Sequence, residues 1–439
     1  MVLFTAEGRQ STKARRVADL TDPPSESYAS DSKKEALCLE YVRQFRQKFV
    51  ALFPKRRELF LAPQNEFGCS KFVCTTVRPT LLPFDQLYEA KPLAKFVANF
   101  LQYEPLEAPD AFPSVLPSPT QVVQWKCGDC FDFAVLLCSW LQGNGYDAYV
   151  VCGYAPSYIT LKDQSKLPPP VLEDEPLPPD DESDEEREDP VAQQLRDARA
   201  EGRYLYKERG VPESKYEVMM AEREAEAKAA AAKTSDDESS DEEEDAETAE
   251  VVSDDSSSLH AWVMLRPFKR GITETTFIEP TTGNFYNAEE APYHGVESVF
   301  NANNYWVNMQ EQEKRCGSLE TDLDDTDNWE YVFMDPMPKK KEVPVVDGPP
   351  PLPGDVVESE EEEEDNILDL PPSWVSTVHL NMDDFVRCYP PDGTRTTLYK
   401  KAKLELFAAG TNDQGLISRL VLYDDSSRTS VKECVERFK

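Results

Sequence analysis

Apolar residues recur along this chain at the spacings of regular secondary structure, and most clearly in residues 124–154. Residues 130–141 carry apolar side chains at helical intervals, which predicts a buried helix with a cysteine at its first position. Gly143 and Gly145 predict the end of this helix, because glycine adopts the left-handed conformation at little cost. Residues 146–152 alternate and are rich in aromatic and β-branched types, which predicts a strand. We therefore expect a buried cysteine-bearing helix that leads directly into a strand.

Further helices and strands are predicted on both sides of this stretch. Residues 33–53 and 91–101 each have one apolar face, which predicts amphipathic helices. The segment HAWVML, which starts at His260, alternates like a strand. The segment TFIEPTTGNFY predicts another strand, with Glu279 near its end and a turn after it.

The C-terminal part of the sequence predicts a separate β-structure. Residues 372–439 contain alternating stretches, with turn signals at PPDG and NDQG. This pattern predicts a domain of β-hairpins, which we expect to be incomplete because three strands with polar faces hardly close a core. The final stretch VKECVERFK has helical spacing and is predicted to be a helix.

Composition divides the chain into globular and polar segments. Acidic and proline-rich runs carry much of a net charge of −36, with 83 acidic and 47 basic residues. Segments with so little apolar content are predicted to be disordered. The predicted organisation is a disordered segment 1–31, a domain formed by 33–160 plus 258–335, an acidic insert with exposed helices at 161–257, a Pro/acidic linker at 336–371, and the β-hairpin domain at 372–439.

Charge and composition also bear on binding partners and location. A strongly acidic chain is repelled by nucleic acid and by anionic membranes, so neither is predicted as a partner. No window contains the roughly 18 consecutive apolar residues that a membrane span requires. The first residues lack an apolar core and a cleavage site, so no secretory signal is predicted. Ten cysteines without regular spacing predict reduced thiols in the cytoplasm.

The candidate chemistry centres on Cys130. The partial positive charge at a helix N-terminus favours the thiolate, which is the nucleophilic form of cysteine. A thiolate catalyst needs an imidazole to exchange protons and a carboxylate to orient that imidazole. His260, one of only three histidines, and Glu279 are the candidates, and Gln124 precedes the cysteine at the spacing of an oxyanion donor in papain-like enzymes.

This order of motifs resembles the transglutaminase-like, papain-related superfamily. The resemblance rests on Cys130 at the helix start, on His260 in its strand, and on Glu279 followed by proline. It implies an α+β fold in which the cysteine helix packs on an antiparallel sheet. The superfamily usually has aspartate where this chain has Glu279, and the longer side chain puts turnover in doubt.

Other chemical sites are weaker alternatives. Cys127 and Cys130 form a CxxC motif, but a structural zinc needs four ligands, and Cys69 with Cys74 has a wider spacing than usual. A redox pair would require a thioredoxin-like context, which is missing. An acidic run at residues 322–327 lacks the glycine on which a calcium loop turns. No metal and no cofactor are predicted.

Several separate stretches resemble one specific family, subunit seven of the nexin–dynein regulatory complex of motile cilia and flagella. They are 60–66, 71–81, 145–149, 304–310, 329–331, 399–405 and 415–420. The resemblance implies a structural subunit of the axoneme that supports linkage of doublet microtubules and regulation of dynein. Its implied partners are the other subunits of that complex, the doublet microtubules and the dynein arms. The family also implies a longer chain, with more β-structure and coiled coil.

Two classes of function therefore remain open. In the first, a catalytically idle transglutaminase-like domain serves as a protein-binding module, which the replaced aspartate favours. In the second, the chain is a thiol acyltransferase or peptidase that uses Cys130 and His260. Reactivity of the thiol separates the two, because a working nucleophile has a pKa well below about 8.5.

Overall fold

The structure is a computed structural model that describes residues 12–20, 22–170, 257–311, 315–333, 369–411 and 414–438. The chain divides into two compact units, Met1–Pro169 with Ser253–Lys439, and Pro170–Val252. All but one of the described residues belong to the first unit, which is therefore built from segments on both sides of the second. The predicted acidic insert and Pro/acidic linker lie mostly outside the described residues.

Nine α-helices lie within the described residues of the first unit, and three of them are longer than ten residues. They are α1 Thr12–Ala18, α2 Glu26–Ala29, α3 Lys33–Leu52, α4 Val73–Thr76, α5 Ala90–Phe100, α6 Pro119–Trp125, α7 Cys130–Gly143, α8 Ser157–Thr160 and α9 Met382–Arg387. The predicted long helices at 33–53, 91–101 and 130–141 correspond to α3, α5 and α7. These three helix predictions are thus confirmed to within a few residues.

The strands form a small parallel pair and two antiparallel sheets. The parallel pair is β1 Gln102–Tyr103 with β2 Cys127–Gly128. The main sheet has the order β6-β5-β4-β3-β7-β8-β9, with β3 Ala148–Pro156, β4 Ser257–Leu265, β5 Thr276–Glu279, β6 Asn284–Asn287, β7 Gly295–Phe300, β8 Tyr305–Asn308 and β9 Trp329–Tyr331. Helix α7 packs on β3 and β4 at the centre of this sheet, so the fold is α+β.

Helix α7 is buried along nearly its whole length, as its apolar sequence requires. Asp129 caps its N-terminus, and Asp132 completes a capping box by accepting a hydrogen bond from the Asp129 N–H at 2.9 Å. At the other end, the predicted glycines have different roles. Gly145 adopts φ +86°, whereas Gly143 lies against the backbone of Thr80, where a Cβ would come within 2.0 Å of a carbonyl oxygen.

The strands β3 and β4 join the two segments of the unit. Their antiparallel register runs from Ala148 opposite Leu265 to Pro156 opposite Ser257. Pro156 and Ser257, the residues that flank residues 157–256, are therefore neighbours at one end of the sheet. An insertion at this point leaves the pairing of the central strands intact.

The second sheet is formed by the C-terminal residues, in the order β10-β11-β12-β13. Its strands are β10 Thr394–Tyr399, β11 Ala402–Phe407, β12 Leu416–Tyr423 and β13 Val431–Phe438. The predicted hairpins are present, but the helix predicted for VKECVERFK is wrong. Its residues extend along β12, with Val435 opposite Leu420, because backbone pairing to an existing strand overrides their helical spacing.

The N-terminal segment also differs from its prediction. Residues 1–31 are predicted to be disordered, but the described part contains α1 and α2, and Tyr28 is almost fully buried. The Tyr28 ring packs edge-on against Trp374 with 4.8 Å between ring centroids, and its hydroxyl accepts a hydrogen bond from the Ser376 N–H. Tertiary contacts with residues far along the chain therefore order a segment whose own composition is polar.

No helix among the described residues is both long and apolar enough to cross a membrane.

Candidate functional site

Cys130 is held at the first position of α7 by the cap that precedes it. The Asp129 carboxylate accepts hydrogen bonds from the N–H groups of Phe131 and Asp132, at 2.9 and 3.2 Å. This geometry fixes the start of the helix and turns the cysteine side chain toward the central strands, where it is fully buried. The Ala261 N–H, on the residue after His260, is directed at the sulfur.

His260 and Glu279 form a buried pair on adjacent strands. The Nε2 atom of His260 lies 2.9 Å from Oε2 of Glu279, and neither side chain is exposed to solvent. The other carboxylate oxygen accepts hydrogen bonds from the Thr281 N–H at 3.2 Å and from its hydroxyl at 2.8 Å. Tyr293 donates to Oε2 from 3.2 Å. Glutamate in place of aspartate therefore still reaches and orients the imidazole.

The environment of Glu279 keeps its carboxylate ionised. Burial by itself raises the pKa of this group, but His260 and the Thr281 hydrogen bonds outweigh burial and lower the pKa below its usual value. An ionised carboxylate accepts the proton on Nε2 of His260, which leaves Nδ1 as the other nitrogen of the ring. Nδ1 is buried and has no hydrogen-bond partner among the described residues.

The thiol does not have the electrostatic environment that the helix N-terminus predicts. The pKa of Cys130 is raised well above its usual value, chiefly by burial and then by the Asp129, Glu279 and Asp132 carboxylates. The Ala261 N–H offsets only part of this effect. In this conformation burial, and after it the acidic cap, oppose the thiolate that the end of the helix dipole favours. The imidazole and carboxylate are joined, but no described hydrogen bond joins the thiol to Nδ1.

The three candidate residues are also closed to solvent. Cys130, His260 and Glu279 each have 0% of their surface exposed. A cavity of about 290 Å³ lies beside Asp129, between Lys13 and residues 104–115, without reaching any of the three. Another, of about 410 Å³, lies around Arg78 and residues 370–373 and does not reach them either.

Gln124 has no hydrogen bond to Cys130 among the described residues. It is exposed on α6, because Val122 and Val123 form the buried face of that helix. Its predicted role as an oxyanion donor has no supporting contact among the described residues.

Among the described residues, the side chains of the other candidate motifs form neither a disulfide nor a metal site. All ten cysteines are free thiols, including Cys127 and Cys130 of the CxxC motif. Within the described ranges, no group of three or more His, Cys, Asp or Glu side chains is arranged to hold a metal ion. The acidic run around Asp325 forms a turn, in which its carboxylate accepts hydrogen bonds from nearby groups such as the Asp327 N–H at 3.0 Å.

Sequence reasoning missed the residues that support the pair. Thr281 lies two residues after Glu279, so its contact could have been inferred from a turn after the strand. No pattern in the sequence predicts the contact of Tyr293 with Glu279, because this residue follows β6 and only the fold brings it to the carboxylate. Its ring stacks on Trp262 with 3.9 Å between centroids and buries the carboxylate from one side.

Two family models match parts of this chain. Residues 114–162 and 249–332 match a family model described as the CEP76 peptidase-like domain, and the match omits the insert between them. Residues 391–439 match the dynein regulatory complex subunit 7 MORN domain. The chain is 35% identical over 94% of its length to dynein regulatory complex subunit 7 of Xenopus tropicalis. By sequence, this chain is similar to proteins named dynein regulatory complex subunit 7.

More distant relatives extend the same match. The chain is 30% identical over 94% of its length to dynein regulatory complex subunit 7 of Chlamydomonas reinhardtii. It is 31% identical over 95% of its length to the coiled-coil domain-containing protein lobo of Drosophila melanogaster. The chain spans 46% of the Xenopus and Drosophila relatives and 26% of the Chlamydomonas relative. The family resemblance predicted from the sequence is confirmed, and the peptidase-like match fits a papain-related fold.

Proposed function

We propose that this chain is a structural subunit of the axonemal nexin–dynein regulatory complex, in which it supports linkage of doublet microtubules and regulation of dynein by binding other proteins. The observation that carries the proposal is similarity along nearly the whole chain to proteins named as subunit 7 of the dynein regulatory complex. Its proposed location is the axoneme of cilia or flagella. Its proposed partners are the other subunits of the complex, the doublet microtubules and the dynein arms.

Within this role, the transglutaminase-like domain serves as a binding module rather than as a catalyst. A nucleophilic cysteine needs a thiolate and an open path for its substrate. Cys130 has a raised pKa and no exposed surface. The domain therefore retains the fold and the positions of a thiol enzyme in a form that favours stable packing.

The second candidate function is a thiol acyltransferase or peptidase. One observation favours it, since the His260–Glu279 pair is intact and Nδ1 of His260 is a buried nitrogen without a described partner. A neutral imidazole with this nitrogen unprotonated is the form that accepts a proton from a thiol held against it. In that case Cys130, His260 and Glu279 would be the nucleophile, the base and the orienting group.

Restoration of motility separates the two candidates. Cells that lack the protein receive the full-length chain as wild type, as Cys130→Ala, or as Cys434→Ala, which removes an exposed thiol far along the chain. Equal incorporation into axonemes and equal beating for all three support the structural role. Normal incorporation of Cys130→Ala with defective beating would overturn it in favour of the enzyme. If Cys130→Ala fails to incorporate, Cys130→Ser shows whether folding or chemistry is responsible.

A further inference from the structure

The short helix α1 is tied to the residues around Cys130 by ion pairs. Lys13 Nζ lies 2.7 Å from Oδ2 of Asp129 and 2.8 Å from Oδ2 of Asp132. One turn later, Arg16 donates paired hydrogen bonds to the two carboxylate oxygens of Glu104, at 2.9 and 2.6 Å. Lysine and arginine three residues apart lie on the same side of a helix, so both face the same surface.

The contact of Lys13 with the two aspartates is largely buried, and the lysine cation balances the negative charge of their carboxylates. The Asp129 and Asp132 side chains are 7% and 1% exposed, and Lys13 is 16% exposed. Neighbouring buried carboxylates repel one another, and burial together with Asp129 raises the pKa of Asp132 to about 7. The same carboxylates outweigh burial and raise the pKa of Lys13. Removing the lysine would leave two buried carboxylates without a cation, which is a costly arrangement.

One of these ion pairs involves the residue next to Cys130. Asp129 directly precedes Cys130 and caps the helix that begins with it. Lys13 and Asp129 line the cavity of about 290 Å³ together with residues 104–115, which also include the partner of Arg16. Helix α1 thus bridges α7 and this segment, across the end of α7 at which Cys130 is buried.

We propose that α1 is an autoinhibitory strap, which closes the Cys130 end of α7 by pairing Lys13 with Asp129 and Asp132 and Arg16 with Glu104. Release of the strap removes the cation that compensates the helix cap, so the cap loosens and the thiol becomes accessible. The Arg16–Glu104 pair is partly exposed and is weakened by salt, whereas the Lys13 contacts are shielded. The proposal rests on the second candidate function, since a gated thiol is of use only to an enzyme that reacts through Cys130.

The test compares the full-length chain with the double variant Lys13→Gln/Arg16→Gln. The control is Arg15→Gln, which removes one charge from the same helix at an exposed position. Each protein is treated with iodoacetamide, and alkylation of Cys130 and Cys138 is followed by mass spectrometry of their peptides. A buried thiol reacts only from an opened state, so the rate reports the population of that state. Cys138 lies on the same helix, is equally buried, and reports opening of the whole domain.

We expect the ratio of the Cys130 rate to the Cys138 rate to rise about tenfold or more in the double variant, since charge-assisted hydrogen bonds are lost. The single variant Arg16→Gln, in which the Lys13 contacts remain, is expected to raise the ratio less. The control is expected to leave it unchanged. A ratio in the double variant that stays at the wild-type value, whether both rates are unchanged or both rise together, would overturn the strap.

Discussion

The Nε2 atom of His260 and the Oε2 atom of Glu279 lie 2.9 Å apart in a site where neither side chain is exposed. The longer glutamate side chain places its carboxylate against the imidazole while Thr281 and Tyr293 satisfy its remaining acceptor positions. The pair therefore links strands β4 and β5, whether or not it takes part in a reaction. The first prediction follows from this contact.

Replacement of Glu279 by glutamine is expected to lower the free energy of unfolding by about 2 to 3 kcal/mol. The amide offers one acceptor oxygen instead of two, and its NH₂ group faces donors that the carboxylate now satisfies. Urea unfolding followed by circular dichroism measures the change. Glu274→Gln, at an exposed position, is the control and is expected to change stability by less than about 0.5 kcal/mol. Equal stabilities of the two variants would contradict the prediction.

Alkaline pH is expected to destabilise the protein through its buried thiols. Burial raises the pKa of Cys138 well above its usual value. The folded chain then keeps a proton that the unfolded chain releases above about pH 8.5, so this stability is present below that pH and is lost as pH rises.

The variant Cys138→Ala isolates this effect, because other groups titrate equally in both proteins. Between pH 8.5 and 10, the free energy of unfolding of the wild type should fall more steeply than that of Cys138→Ala, by up to about 1.4 kcal/mol per pH unit. Cys434→Ala, which removes an exposed thiol, should show the wild-type slope. Parallel curves for wild type and Cys138→Ala would show that the folded and unfolded thiols titrate alike.

The two segments on either side of the insert are predicted to fold as one domain. Replacing residues 165–255 with a short Gly-Ser bridge should leave a cooperative thermal transition, because Pro156 and Ser257, which lie outside the replaced segment, are already paired in the central sheet. The full-length chain is the reference, and calorimetry is the measurement. Loss of the transition, or its separation into independent steps, would show that the insert contributes to the domain.

The parts of the fold that follow from local patterns were predicted well. The apolar run after Cys130 can be satisfied only by burial on all sides, and α7 is buried in that way. The alternation after His260 predicted β4, and the order of the motifs placed Glu279 within reach of the imidazole. Each of these inferences needed only neighbouring residues or the order of elements.

The parts that depend on distant contacts were not predicted. Helix α1 is short and polar, and its order comes from ion pairs with residues more than eighty positions away, such as the Arg16–Glu104 pair. In β13, Val431, Cys434, Val435 and Phe438 have helical spacing, and only pairing with β12 makes this segment a strand. The raised pKa of Cys130 arises chiefly from burial against the central strands and in part from Glu279, which the fold brings from far along the chain. No local pattern contains this information.

The pairing of Pro156 with Ser257 also has a use in imaging. Because both flanks of the insert leave the central sheet at one place, a compact tag carried on a short bridge there would remain close to a fixed point of the domain. In density maps of axonemes, the proposed location of this chain, such a tag would report the position of this sheet to within the length of its bridge. The same attachment placed near β13 would mark the second sheet, and the two marks together would define the direction of the chain in the assembly.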